Sequence, residues 1–208
     1  IIKPPTGILE SRCDVGNGLT VHMTIAFTFF MKLVTCLIPG RERRKRIRTA
    51  LRSWAYGRRL RRKAKRIGSG LYCGGLVKVY CDNVYLDDHV CFNGATLIGR
   101  GHIYIKHHFH SGGGLVILTE SHNYEGSAVP YDDTFIVKDV DIAECVWVGY
   151  GVTILPGTRI GKGAIIQASS VVHGEIPPYA IAGGNPAKVF AYRNGDHYEK
   201  LASEGKFH

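Results

Sequence analysis

The sequence predicts an all-β solenoid, a parallel β-helix, because one class of residue recurs at every sixth position over much of the chain. A period of six matches neither the 3.6 residues of a helical turn nor the two-residue alternation of a strand. It fits triangular coils with three six-residue sides, in which an inward residue stacks on the residue 18 positions away. The recurring residues are Ile136, Ile142, Val148, Ile154, Ile160, Ile166 and Val172, and small or branched residues precede six of them by two places: Val140, Val146, Val152, Thr158, Ala164 and Ser170.

The same repeat is present earlier in the chain and is interrupted once. Its earlier inward positions are Leu86, Phe92, Ile98, Tyr104, His110 and Val116. The count then reaches His122, and 14 residues instead of 12 separate His122 from Ile136. We therefore expect an excursion loop over residues 121–135, and a loop on a rigid scaffold is a common place for function. Residues 104–114 would place histidines in an apolar interior, so that coil either slips its register or faces a polar group.

Composition indicates one domain with appendages in a reducing compartment. The chain has 208 residues, of which 45% are hydrophobic. None of the six cysteines forms a Cys-x-x-Cys pair, so we expect all of them to be reduced and the protein to be cytosolic. The cysteines are Cys13, Cys36, Cys73, Cys81, Cys91 and Cys145.

The positive charge belongs to one segment. Residues 41–66 contain 14 Lys or Arg and one acid, a local net of +13, so the rest of the chain carries about −3 of the total +10. Ile47, Leu51, Trp54 and Ala55 fall on one helical face, and Leu60, Ala64 and Ile67 continue the helical spacing. Two interpretations remain open, a helix at an anionic membrane surface and a solvated helix packed beside the solenoid. Nucleic-acid binding is not expected, because no base-reading fold accompanies the charge.

Three regions follow from these patterns. Residues 1–66 form an apolar and Arg-rich, partly helical segment, residues 67–176 the β-helix, and residues 177–208 a short C-terminal extension. The apolar stretch 24–38 is too short and too charged for a transmembrane helix. Residue 1 is not Met, so we expect residues 1–22 to be an upstream extension, with translation starting at Met23. A signal peptide is not expected, because the basic run follows the apolar run.

The C-terminal half carries motifs that support a resemblance. They are Val146-Trp-Val-Gly, Ile154-Leu-Pro-Gly-Thr-Arg-Ile-Gly-Lys-Gly-Ala and Ile176-Pro-Pro-Tyr-Ala-Ile-Ala-Gly-Gly-Asn-Pro-Ala-Lys-Val. Residues 70–193 resemble the hexapeptide-repeat acyltransferases, more narrowly the maltose, galactoside and polysaccharide O-acetyltransferase branch. The resemblance implies a left-handed β-helix, a homotrimer and acetyl-CoA as co-substrate. It also implies a sugar or lipid-linked glycan as acceptor. If residues 41–66 bind an anionic surface, this cytoplasmic protein would be peripheral at the inner face of the membrane.

The resemblance assigns roles to individual residues. His122, in Glu120-Ser-His-Asn-Tyr, matches the catalytic histidine, and a neutral imidazole can take the proton of a sugar hydroxyl. Asn93 lies near the position of an acceptor-binding asparagine. The residues matched to coenzyme A are Ala168 and Ser169 along the pantetheine arm, and Lys188 and Arg193 at the phosphates. Gln167, Ser169, Tyr150 and His173-Gly174 depart from the family pattern and put the details of this channel in doubt.

Three alternatives remain open. An antibiotic O-acetyltransferase of the same fold differs only in its acceptor. A γ-class carbonic anhydrase uses the same solenoid with three zinc-binding histidines, although the Gly-Asn-Pro-Ala-Lys block argues against it and we expect no metal. The histidines available for such a set are His102, His107, His108, His110 and His122. A non-catalytic solenoid is the third alternative, and a His-bearing loop at the expected position argues against it.

Overall fold

The described residues form a parallel β-solenoid. The structure is a computed structural model that describes residues 40–208, so the expectations for residues 1–22, the stretch 24–38, Cys13 and Cys36 lie outside it. The solenoid has about six turns and matches a left-handed β-helix, which confirms the predicted fold class. Residues Thr49–His208 form one compact unit.

The basic segment is helical, as its pattern predicts, but it contains two helices and ends earlier. Helix α1 spans Arg41–Tyr56 and helix α2 spans Arg58–Lys63. The chain turns extended at Ala64, and Ile67 lies in the first strand, so its predicted helical position is wrong. The reason is visible at Lys65, whose N–H donates to the carbonyl of Val84 and so begins the parallel ladder.

Eighteen strands and a C-terminal helix follow. In chain order the strands are β1 Arg66–Ile67, β2 Tyr72–Tyr80, β3 Val84–Leu86, β4 Cys91–Ile98, β5 Ile103–Ile105, β6 His110–Ser111, β7 Leu115–Leu118, β8 Glu120–His122, β9 Phe135–Val137, β10 Val140–Ile142, β11 Trp147–Val148, β12 Thr153–Ile154, β13 Arg159–Ile160, β14 Ile165–Ile166, β15 Val171–Val172, β16 Glu175–Ile176, β17 Ala180–Gly184 and β18 Ala187–Tyr192. Helix α3 spans Gly195–Ser203, and the Asn194 side chain caps it by accepting from the His197 N–H at 2.9 Å.

Stacked parallel strands build the faces of the triangular solenoid. One six-stranded sheet has the order β1-β3-β5-β10-β13-β16. The other two faces join in a ten-stranded sheet, because β4 pairs with β6 through Cys91 and Phe92 and with β7 through its last four residues. The predicted spacing of 18 is met between Asp141 and Arg159, which pair in register.

The predicted inward phase is correct in the C-terminal half and wrong by one residue before it. From Ile142 to Val172 every predicted inward residue is at most 2% exposed, and so are Leu86 and Phe92. Ile98, Tyr104, His110 and Val116 are only half-buried, and their neighbours fill the core instead. The buried neighbours are Leu97, Ile105, Ser111 and Ile117.

The slip occurs at one corner of β4. Two residues, Asn93 and Gly94, separate the buried Phe92 from the buried Ala95, where strict alternation allows one. Gly94 has φ of 115°, a conformation that side chains other than glycine rarely adopt, so it can absorb the extra residue. The slip removes His110 from the apolar interior.

The solenoid also extends further than predicted at its C-terminal end. The boundary expected at residue 176 is passed by β17, which still pairs in parallel with β14. Strand β18 then folds back antiparallel to β17. Ile136 is a second departure, since it lies half-buried in β9, outside the repeat, and not in the core.

Two isoleucines test the corrected register. Ile117 is fully buried, whereas Ile98, an inward residue in the sequence-derived phase, is half-buried. We expect Ile117→Ala to lower the free energy of unfolding by about 2–5 kcal/mol, because a buried aliphatic side chain leaves a cavity. The same change at Ile98 should cost clearly less. Urea titration measures the free energy of unfolding of both variants. A larger loss for Ile98→Ala than for Ile117→Ala would support the register predicted from the sequence instead.

Candidate functional site

His122 lies on a hairpin that leaves the solenoid. Strand β8 pairs antiparallel with β9, with His122 directly opposite Phe135, and residues 123–134 form the loop between them. The interruption expected at residues 121–135 is therefore this hairpin. His122 is exposed, so its side chain is open to a ligand.

Two aromatic rings contact the imidazole of His122. The Tyr131 ring stacks on it with centroids 3.9 Å apart and planes 19° apart. The Phe135 ring lies 4.7 Å away and is tilted by 35°. Stacking uses the face of the imidazole, whereas its two nitrogens lie at the edge. No hydrogen bond within residues 40–208 engages these nitrogens, and the geometry leaves them able to bond a hydroxyl.

Asn93 lies at the corner where the register slips, and it bonds to the coil that follows. Its Nδ2 donates to the Ser111 carbonyl at 2.9 Å and lies 3.2 Å from His110 Nε2. A Cβ on Gly74 would fall 2.3 Å from Asn93 Oδ1, so a larger residue there would displace the Asn93 side chain. The contacts of Asn93 and of His122 involve different residues, so the described chain does not bring these two side chains together.

Three of the four residues matched to coenzyme A share one edge of the solenoid. Ala168 and Ser169 form the exposed turn after β14, and the Ser169 N–H donates to the Tyr150 carbonyl at 2.7 Å. Lys188 pairs with Gly183 across the hairpin of β17 and β18, and it is exposed. Gly184, which follows Gly183 in the chain, donates its N–H to Ser170 Oγ at 3.1 Å. This bond joins the β17–β18 hairpin to the turn of Ala168 and Ser169.

Arg193 lies at the other end of β18. Its backbone N–H donates to the Tyr179 carbonyl at 2.9 Å, and its Nη1 donates to the Gly163 carbonyl at 3.1 Å. The guanidinium carbon lies 5.1 Å from the centre of the Tyr198 ring. Arg193 is five positions beyond Lys188, roughly 17 Å along an extended chain. Arg193 is thus held within the chain, away from the other three residues.

A cavity of about 460 Å³ beside the C-terminal residues was not predicted from the sequence. It forms only because the residues after α3 fold back, and no motif or spacing signals such a return. His108 stacks on Phe207 at 4.0 Å, and its buried Nδ1 has no hydrogen-bond partner in the described structure. Burial, and then the nearby His89 and His107, lower the pKa of His108. The cavity is lined by His108, His110, Cys145, Val146, Trp147, Arg193, Tyr198, Leu201, Ala202, Lys206, Phe207 and His208.

The histidines available for a zinc set do not converge in the described part of the chain. Within residues 40–208 no group of three or more His, Cys, Asp or Glu side chains is placed to hold a metal ion. His102 contacts Asp139 instead, with Nδ1 and Oδ1 3.2 Å apart, and His122 lies between aromatic rings. No helix among the same residues is long and apolar enough to cross a membrane.

Comparison with curated proteins finds acetyltransferases, although no protein-family model matches the chain. It is 34% identical over 130 residues to WbbJ of Escherichia coli K12, a protein assigned to lipopolysaccharide biosynthesis as an O-acetyl transferase, covering 59% of this chain and 63% of WbbJ. It is 36% identical over 116 residues to the galactoside O-acetyltransferase of Lactococcus lactis, covering 51% and 54%. A chloramphenicol acetyltransferase of Agrobacterium fabrum is 37% identical over 90 residues, covering 43% and 40%. The chain spans less than two thirds of the length of these relatives.

Solved structures share the fold. A hexapeptide-repeat acetyltransferase of Vibrio cholerae, in complex with acetyl-CoA, superposes with a TM-score of 0.56 at 21% identity, covering 86% of this chain and 92% of that one. A galactoside acetyltransferase in complex with coenzyme A gives 0.56 at 19% identity, covering 89% and 87%. The resemblance seen in the sequence is confirmed: the chain has the fold of the hexapeptide-repeat acyltransferases and is a sequence relative of their O-acetyltransferases.

Proposed function

We propose that the protein is an acetyl-CoA-dependent O-acetyltransferase that acts on a sugar hydroxyl in surface polysaccharide biosynthesis. The observation that carries the proposal is the hairpin: a histidine at the matched position, exposed, whose two ring nitrogens at the edge make no hydrogen bond to any residue from 40 to 208. The sequence similarity to sugar acetyltransferases supports the acceptor class. Asn93, held by the Ser111 carbonyl, is proposed to bind the acceptor.

His122 is proposed to act as the general base. A sugar hydroxyl is a poor nucleophile near neutral pH, and a neutral imidazole nitrogen can accept its proton as the oxygen attacks the thioester carbonyl. The carbonyl oxygen becomes an oxyanion, which a backbone N–H can stabilise. When the intermediate collapses, the C–S bond breaks, and the imidazolium returns the proton to the departing thiolate. The step forms an O-acetyl sugar and free coenzyme A without a covalent enzyme intermediate.

The edge formed by Ala168, Ser169 and Lys188 is proposed to bind coenzyme A. The turn is exposed, and the coils approach closely there, since a Cβ on Gly149 would fall 2.5 Å from the Ala168 backbone nitrogen. A narrow backbone edge suits the pantetheine arm, and the exposed Lys188 ammonium suits a phosphate. Arg193 was matched to the phosphates as well. Its bonds to Gly163 and Tyr179 favour Lys188 for that role.

The homotrimer is also part of this proposal. His122 and Asn93 have no contacts in common within the described part of one chain. A C₃ assembly could place His122 of one chain beside Asn93 of the next, so that each site is completed by two chains.

An antibiotic acceptor is the second candidate, because chloramphenicol and macrolide acetyltransferases are also among the relatives. The chemistry at His122 would be the same and only the acceptor would differ. Release of coenzyme A thiol with a panel of sugars and with chloramphenicol distinguishes the two candidates.

Removal of the base tests the mechanism. We expect His122→Ala to lower kcat by at least ~10²-fold, the usual loss for a general base, with the fold intact. His197→Ala is the matched control, since His197 is an exposed histidine on α3. Thiol release with an identified acceptor measures turnover, and circular dichroism checks the fold. Near-normal turnover of His122→Ala would remove His122 from the mechanism.

A lysine substitution tests the coenzyme edge. We expect Lys188→Ala to raise KM for acetyl-CoA with little change in kcat, because a phosphate contact is equally strong in the ground and transition states. Lys200→Ala, at an exposed lysine of α3, should change neither value. Initial rates at varied acetyl-CoA give both constants. A loss in kcat at unchanged KM would contradict the assignment of Lys188.

The basic helices are proposed to bind an anionic membrane surface, which would place a cytoplasmic enzyme near a lipid-linked glycan. Every Arg and Lys of α1 is exposed, and Trp54 on the same helix is 50% exposed, whereas Leu51 and Ala55 are half-buried. Trp54 is therefore an exposed aromatic residue on a helix rich in exposed cations, an arrangement suited to a membrane interface. Within the segment, only Lys63 and Arg66 form ion pairs with described carboxylates.

Liposome co-sedimentation tests the membrane proposal. We expect binding to anionic but not to neutral vesicles, weakened by salt, because each cation near such a surface contributes up to about 1 kcal/mol. Arg44→Gln with Arg48→Gln should weaken it. The same loss of two charges at the exposed Lys138 and Lys200 should not. If the protein binds neither kind of vesicle, the segment is a solvated helix, and a soluble acceptor such as an antibiotic is favoured over a lipid-linked glycan.

A further inference from the structure

The loop that follows His122 is held by one carboxylate. Asp132 accepts hydrogen bonds from the backbone N–H of Ser127 and of Thr134, both at 2.9 Å, and from the hydroxyls of the same two residues. The Thr134 hydroxyl, and then these N–H groups, lower the pKa of Asp132 to about 2. A Cβ on Gly126 would fall 2.0 Å from Asp132 Oδ2, so the loop closes tightly around the carboxylate.

The backbone of Asp132 and Thr134 extends the hydrogen-bond ladder of the hairpin beyond His122. The Asn123 N–H donates to the Thr134 carbonyl at 3.1 Å, and the Asp132 N–H donates to the Asn123 carbonyl at 3.3 Å. The backbone that follows Tyr131 is thereby tied to Asn123, the residue after His122. Tyr131 immediately precedes Asp132, and its ring stacks on the imidazole at 3.9 Å.

The second aromatic contact of His122 is supported from outside the loop. The Arg100 guanidinium lies 3.9 Å from the centre of the Phe135 ring. Arg100 is in turn held by Glu120, whose Oε2 accepts the Arg100 N–H at 3.1 Å and lies 3.5 Å from its Nε. The imidazole is therefore contacted by two rings: Tyr131, next to the bonded carboxylate of Asp132, and Phe135, which packs against the Arg100 guanidinium.

We propose that Tyr131 is a positioning residue for His122, and that Asp132 acts through it by fixing the loop that presents the Tyr131 ring. Stacking against one face restricts rotation of the imidazole about its Cβ–Cγ bond while leaving its nitrogen-bearing edge open to the acceptor hydroxyl. General-base catalysis depends on that orientation, because small misplacements of a reacting group are costly in rate. The proposal rests on the role of His122 proposed above.

Four variants test the arrangement. Tyr131→Ala removes the ring, and Asp132→Asn keeps the size of the side chain but loses the charge and one acceptor oxygen. Tyr131→Phe keeps the stacking ring and removes only the hydroxyl. Asp133→Asn is the matched control, since Asp133 is an exposed neighbouring acid outside the hydrogen bonds of Asp132.

The first measurement does not require activity. The ring current of Tyr131 should shift the imidazole C–H proton resonances of His122, which are assigned by their loss in His122→Ala. We expect Tyr131→Ala and Asp132→Asn to move these resonances towards the values of a free histidine. Tyr131→Phe and Asp133→Asn should leave them unchanged. Unchanged resonances in Tyr131→Ala would overturn the stacking on which the proposal depends.

The second measurement separates positioning from binding. We expect Tyr131→Ala to lower kcat by about 2- to 10-fold, the range that one stacked aromatic pair is worth, with KM for acetyl-CoA unchanged. Tyr131→Phe should retain kcat. A shifted resonance with unchanged kcat would overturn the positioning role and leave His122 as the base. A wild-type protein that releases no thiol with any acceptor, or an active His122→Ala variant, would instead overturn the proposed function.

Discussion

Stacking of coils at the strand-pairing distance is the constraint on which the rest of the structure depends. Paired strands lie about 4.8 Å apart, so every side chain at a corner must fit beneath the backbone of the next coil. At Gly149 a single added carbon would meet the Ala168 nitrogen at 2.5 Å, closer than real side-chain atoms come. The inward residues stack on one another from coil to coil, and from Ile142 to Val172 the residue at every sixth position is buried.

The same constraint explains why the histidine lies on a hairpin. A coil can absorb a single extra residue at a glycine corner, as at Gly94, but a longer insertion has to leave the solenoid. Strands β8 and β9 do so, and their antiparallel pairing places His122 opposite Phe135. The chain thereby obtains an exposed functional group on a rigid base, together with a loop whose own side chains can surround it.

Much of the fold could be predicted from sequence because the repeat is a local signal. The slip at Asn93 and Gly94 could not, because a positive φ at one glycine changes which side chain points inward without disturbing the composition. The spacing predicted an interruption of the repeat over residues 121–135, and the hairpin of β8 and β9 lies there. It did not predict the contact with Tyr131, which depends on how the loop closes around Asp132. For Arg193, the sequence position suggested a contact with the coenzyme A phosphates, but in the structure its side chain donates to the Gly163 carbonyl.

Strand β18 has a consequence for how the protein behaves at high concentration. A parallel stack ends in a strand with unsatisfied backbone groups, and such an edge can recruit another chain and grow into fibres. Here β17 is followed by a strand running the opposite way, so the parallel pattern stops after one hairpin. At the start of the stack, α2 buries Leu60 completely and packs against β2. Strand β18 and helix α2 thus cover one strand at each end of the stack, which opposes pairing with another chain at these two strands.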